Sequence, residues 1–188
     1  MRKPKIETDV RDLGWGSVES QQKKFDAIAG IGIKSNSIVL DVGCGYGDFC
    51  SRITRGCYLG IDIIIERIST AIKKYPSEKF LAFACCNIDK VVSIVGPIRF
   101  EYVIASGIFW KEERRWLKRV VDTIEKMDVY AYKGIAVNFL SEFALNKKPG
   151  RHYATMKEIG EIMRATSQRC TIRHDYLPND MTLYIYKD

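Results

Sequence analysis

Apolar runs of strand length alternate with helical stripes along this chain from about residue 17 onward. Ser17 caps a helix expected to reach Ala29, with Val18, Phe25 and Ile28 on one face, and Gly30 and Gly32 end it. Ser37 to Val42 reads as a buried strand. Asp48 to Thr54 reads as helical, with Phe49, Cys50 and Ile53 inward. Tyr58 to Ile63 is the next strand. Glu66 to Tyr75 is a helix striped by Ile68, Ala71, Ile72 and Tyr75, stopped by Pro76. Strands are expected over Phe80–Cys85, Tyr102–Ser106 and Gly134–Leu140. Between the last two, Glu112 to about Met127 carries Leu117, Val120, Val121, Ile124 and Met127 at helical spacing. Thr155 and Glu158 form a capping box ahead of Met156, Ile159, Ile162 and Met163. Cys170–Tyr176 and Met181–Tyr186 flank Leu177-Pro178-Asn179-Asp180 as an antiparallel hairpin. Five strands with helical crossovers and a closing hairpin predict an α/β fold. Its sheet is doubly wound, mostly parallel and seven-stranded, with the C-terminal hairpin antiparallel.

Composition narrows the class. At 188 residues, 46% hydrophobic and 28% charged, the chain reads as one globular domain spanning 1–188. No apolar run approaches the ~18 residues of a membrane span. The basic start Met1-Arg2-Lys3-Pro4-Lys5 is followed by no apolar h-region, so a cytoplasmic location is expected and no membrane partner. The six cysteines include no C-x-x-C pair and there are two histidines, so no metal site is expected and the thiols read as reduced core residues. A net charge of +7 permits an anionic partner without requiring one.

The chemistry concentrates in Val39-Leu40-Asp41-Val42-Gly43-Cys44-Gly45-Tyr46-Gly47-Asp48. An apolar strand ends beside an acid, and three closely spaced glycines follow, so a ligand can approach the backbone. A dinucleotide fingerprint, G-x-G-x-x-G, needs glycine at position 48, where this chain has Asp48. A nicotinamide oxidoreductase is therefore disfavoured. The spacing instead resembles motif I of the class I S-adenosylmethionine (SAM) methyltransferases, D/E-x-G-x-G-x-G. The strand count and the closing hairpin resemble that family's fold, in which the last strand inserts antiparallel between the fifth and sixth. Further likeness lies in Leu13-Gly14-Trp15-Gly16-Ser17, Ser106-Gly107-Ile108-Phe109 and His174-Asp175-Tyr176-Leu177-Pro178, which recur in a group of small bacterial class I methyltransferases. The resemblance spans nearly the whole length. It implies fold and SAM as cofactor, and carries no substrate.

On that resemblance Gly43, Cys44, Gly45 and Gly47 form the turn beneath the methionyl part of SAM. Asp41 organises its ammonium or only caps the turn. Asp62, ending the second strand, accepts the ribose hydroxyls or starts a helix, and Ile63 or Ile64 walls the adenine. Asn87 stands where many members carry an adenine-binding Asp; the competing reading is a helix cap. Ser106 closes the fourth strand, facing cofactor and acceptor. Residues 1–36 are expected to cap the site, with Trp15 closing it or stapling the helix, and Gln21 reaching polar atoms. Residues 141–154 are a candidate lid. Within it His152 and Tyr153 are weak candidates for acid–base work, and Lys147, Lys148 and Arg151 equally suit a solvated loop. His174 reads as structural. The segment after the fourth strand lacks D/N-P-P-Y/F, which disfavours amino methylation of nucleic-acid bases, and Cys85 and Cys86 lie on the wrong strand for carbon-5 cytosine chemistry. The expectation is methyl transfer to a small molecule. The alternatives are a nucleic-acid (RNA) methyltransferase, supported by Lys111, Arg114, Arg115, Lys118 and Arg119, and a non-catalytic SAM-binding module.

Overall fold

The computed structural model describes residues 10–14, 16–76, 80–166 and 169–187. One seven-stranded sheet organises them, in the order β3-β2-β1-β4-β5-β7-β6. The strands are β1 (Ile38–Val42), β2 (Cys57–Asp62), β3 (Leu81–Cys85), β4 (Phe100–Ala105), β5 (Ala131–Leu140), β6 (Cys170–Arg173) and β7 (Asp180–Tyr186). Strands β1 to β5 pair parallel; β7 inserts antiparallel between β5 and β6. The expected architecture is therefore present, down to the position of the last strand.

Period-two alternation sends successive side chains to opposite faces. Leu40, Val103, Ile135, Val137 and Leu183 face one core with α4 (Trp116–Tyr130) and α5 (Met156–Thr166). Val39, Ile104, Ala136 and Tyr184 face the other, beneath α1 (Val18–Ala29) and the 3-10 helix Asp48–Arg52. Helix α2 (Ile65–Lys74) buries Ile68 and Ala71. Covered on both sides, the parallel strands are near-continuous apolar runs.

Local signals are read correctly at the caps. Ser17 and Ser20 form a reciprocal box at the start of α1, and Thr155 and Glu158 do so before α5. Several expectations change. Val18 is exposed, and Lys24 and Gln21 are buried on the inner face of α1 instead. Ile72 is exposed on α2. Helix α4 starts at Trp116, because Glu112 N–H donates to Gly150 O (3.1 Å) and Lys111 bridges Arg151, which holds that backbone out of the helix. Asp48–Arg52 is a 3-10 helix, and a short α3 (Val91–Val95) after β3 was not anticipated. Of the six free cysteines Cys50 is buried in the core, Cys86 and Cys170 pack partly buried against it, and Cys85 is exposed, so the expectation of core thiols holds only in part. Among the described residues no helix is long and apolar enough to cross a membrane.

Candidate active site

The parallel strands bring their carboxyl ends to one edge, where a cleft of about 490 Å³ opens. That volume lies within the ~300–1,000 Å³ usual for small-ligand sites. Asp41, Gly43, Cys44, Gly45 and Asp62 line it. Ile63, Asn87, Ser106 and Gln21 line it too. Gly47 does not: a Cβ there would meet Phe83 at 2.4 Å, so this glycine serves packing behind the turn. Trp15 lies outside the described residues.

The turn is built from left-handed glycines, with φ of +77° at Gly43, +58° at Gly45 and +77° at Gly47. At Gly43 a Cβ would stand 2.2 Å from Ile108 Cγ2. The N–H groups of Gly43 and Cys44 both donate to Ile61 O, at 2.8 and 2.9 Å. Gly45 N–H donates to Asp62 Oδ2 at 3.1 Å. The turn thus offers a ligand bare surface rather than free donors. The Leu13 side chain lies over Gly45. It belongs to the 3-10 helix Val10–Leu13, which places part of the N-terminal segment against the site.

Three buried carboxylates converge there. Asp41 accepts a 2.6 Å hydrogen bond from Tyr58 OH. Burial pushes its acid up to about 7; the Tyr58 hydroxyl opposes this, and the neighbouring Asp62 and Asp48 add to it. Asp62 accepts from Gly45 N–H and, through Oδ1, from Ile64 N–H at 3.0 Å, with Arg67 Nη1 at 3.6 Å from Oδ2. Asp48, which sequence reasoning passed over, accepts from Gln21 Nε2 (3.1 Å), Lys74 Nζ (2.5 Å) and Tyr75 OH (3.0 Å). Burial also raises the Cys44 thiol, and the carboxylates Asp41 and Asp62 add to that, so it stays a neutral wall. Ser106 Oγ is buried without a hydrogen-bond partner among the described residues. Asn87 precedes the 3-10 helix Ile88–Lys90, but its side chain makes no cap hydrogen bond and is exposed at the cleft.

The candidate acid–base residues sit elsewhere. His152 lines neither this cleft nor its neighbour: its ring stacks on Trp116 with centroids 3.8 Å apart, and Nε2 is 3.0 Å from Glu158 Oε1. Tyr153 OH accepts from Lys148 N–H at 2.8 Å and lines a second, adjoining cleft. His174 packs edge-on against Phe143. The 141–154 stretch is tied at both feet, by Ala154 N–H to Leu140 O (2.8 Å) and His152 N–H to Trp110 O (2.9 Å).

Solved structures with this fold are similar across most of the chain. Magnesium protoporphyrin IX methyltransferase from Synechocystis PCC 6803, with bound SAH, has a TM-score of 0.69 at 13% identity, covering 100% of this chain and 90% of that one. A SAM-dependent methyltransferase from Aquifex aeolicus has a TM-score of 0.66 at 17% identity, covering 95% and 98%. The Burkholderia thailandensis 1,6-didemethyltoxoflavin-N1-methyltransferase, with bound 1,6-didemethyltoxoflavin and S-adenosylhomocysteine, has a TM-score of 0.66 at 12% identity, covering 95% and 82%. No curated protein sequence matches. The family profile described as "Methyltransferase domain" matches residues 33–175, from the approach to β1 through the glycine turn and the strand-end acids to the final hairpin, and the chain belongs to that family, with the class I SAM-dependent methyltransferase fold.

Proposed function

We propose that this protein transfers a methyl group from SAM to a small-molecule acceptor. The observation that carries the reading is the convergence of Asp41, Asp48 and Asp62 on one cleft beside a side-chain-free turn. Buried like charges raise one another's affinity for a cation, and the cationic ammonium and sulfonium of SAM answer that need. Asp41 would hold the ammonium end, Asp62 the ribose hydroxyls, and Ser106 Oγ, unpartnered in the protein alone, a further polar atom. Ile63, exposed at the mouth, and Asn87 would flank the adenine. When bound, SAM supplies a methyl group already activated on sulfonium; an acceptor lone pair takes it, the sulfur keeps the electron pair, and the acceptor's proton passes to solvent. The protein's part is to bind, align and exclude water, and alignment alone supplies much of such an acceleration. That an obvious base is missing from the first cleft fits this economy. The relatives methylating a porphyrin and a toxoflavin precursor support a small acceptor.

The nucleic-acid reading rests on the basic cluster before and along α4, and part of that cluster is neutralised. Lys118 Nζ pairs with Asp122 at 2.8 Å, and Arg119 pairs with Glu113. Titration calorimetry with SAM tests the cofactor assignment, and a cytoplasmic metabolite panel with methyl-labelled SAM tests the reaction. Micromolar SAM binding with label transferred to a small compound supports the reading. Absence of SAM binding by the folded protein refutes it.

A further inference from the structure

The second cleft, of about 910 Å³, adjoins the first: Leu13, Arg67, Gly107 and Trp110 line both. Its charge balance differs: the first cleft sets Arg67, Arg119 and Lys126 against Asp41, Asp48, Asp62 and Asp89, whereas cations outnumber acids in the second. Lys24, Arg67, Lys148 and Arg151 face it against Asp12 and Asp180. Two of these cations are already matched. Lys24 Nζ sits 2.8 Å from Asp180 Oδ1 within the protein, and Arg67 leans toward Asp62. Lys148 and Arg151 remain, both on the 141–154 stretch. The Arg151 guanidinium lies over the Trp110 ring, 5.8 Å from its centroid, and its backbone bridges Lys111. A cation–π contact of this kind holds the guanidinium near the ring face and leaves its N–H donors for a planar or tetrahedral anion. Trp110 itself is 47% exposed among the described residues, an apolar wall at the cleft.

We propose that this second cleft takes a small acceptor joining an apolar, ring-sized body to an anionic group, with Arg151 and Lys148 holding the anion and Trp110 the body. The anion is a carboxylate or a phosphate monoester. The inference rests on the methyl-transfer reading above and adds the acceptor's chemical class to it. The electrostatics also sort the two ligands. Three carboxylates repel an anionic acceptor from the first cleft, and the cations of the second attract it, so each ligand is directed to its own side of the shared wall.

The test uses the full chain with methyl-labelled SAM and matched acceptors. Hydroxy- and amino-substituted benzoates form one arm, aryl and sugar phosphate monoesters a second, and the neutral amide or alcohol of each a third. A short RNA forms a fourth. The expected result is label on acidic members of one of the first two arms, with kcat/KM at least tenfold above the neutral counterparts. Arg151→Ala with Lys148→Ala should then raise KM for the acid at least tenfold while SAM affinity, measured by calorimetry, stays within twofold. Lys148→Arg should retain most activity. Equal methylation of neutral members, methylation of RNA alone, no labelled acid, or an unmoved KM in the double variant each overturns the acceptor assignment. SAM binding in the same calorimeter shows separately whether the methyl-transfer reading survives.

Discussion

Asp62→Ala is the sharpest perturbation of the cofactor site. The wild-type carboxylate is 4% exposed and already accepts from Gly45 N–H and Ile64 N–H. Each oxygen retains a lone pair for a ribose hydroxyl. A hydrogen bond to a charged acceptor contributes about 1.5–3 kcal/mol. Water entering the space left by the side chain returns part of two such bonds, so a net loss of about 2 kcal/mol is expected, or roughly thirtyfold in Kd. The same substitution strips two backbone donors, so the melting temperature should also fall. Calorimetric titration with SAM and with SAH, run well below the variant's melting temperature, reads the binding loss apart from the folding loss. Both ligands carry the same ribose, so both should weaken by the same factor. A folded Asp62→Ala protein whose SAM Kd stays within threefold of the parent would refute the ribose assignment.

Four further outcomes follow from the geometry. Asp41, with its acid raised to about 7, must lose its proton to meet an ammonium, so SAM binding should tighten from pH 6 to pH 8 and release a proton near pH 6.5, seen in buffers of different ionisation enthalpy; Asp41→Asn should abolish the release, and Tyr58→Phe, which removes the donor that lowers this acid, should move the midpoint upward. In the absence of ligand the sign reverses: the raised acid favours the folded state fully below pH ~4 and that contribution is lost as pH rises through about 7, so Asp41→Asn should gain relative stability toward alkaline pH in thermal melts. Gly43→Ala should cost about 2 kcal/mol from its left-handed φ and the Ile108 clash, and Ile108→Ala should recover the clash but not the backbone part, read by urea melts of the double variant. Lys24→Met leaves the buried Asp180 carboxylate without its lysine; the variant should lose about 3–5 kcal/mol at pH 8 and less as the pH is lowered, because burial favours the protonated acid, and a loss independent of pH would contradict the pairing.

The strands were legible because a two-sided parallel sheet demands unbroken apolar runs, and Val39 to Val42 or Val103 to Ala105 can be little else. The glycine turn was legible because its spacing is a backbone requirement. Side chains whose burial depends on distant partners were not. Lys24 looks like solvent-facing charge until β7 brings Asp180 to it, and Asp48 looks like a helix-start acid until Gln21, Lys74 and Tyr75 surround it. The late start of α4 was hidden for the same reason, since the hydrogen bond that delays it comes from residue 150. His152 suggested proton transfer by residue type, yet its environment is an indole face and a carboxylate away from both clefts. Periodicity reports which face a residue occupies, and only tertiary structure reports what it meets there.

The clasp between α1 and β7 has a consequence for biosynthesis. Lys24 finds its counter-ion at Asp180, and the Ala27 carbonyl is bonded by the Tyr184 hydroxyl. At roughly 5–20 residues per second, the ribosome delivers that last strand on the order of ten to thirty seconds after the first helix has emerged. During that interval Lys24 of the nascent first helix waits for Asp180, while Phe25 can already meet Phe49. The floor of the second cleft therefore closes only after β7 has emerged, and truncation within the β6–β7 hairpin should yield chains that bind chaperones rather than ligands.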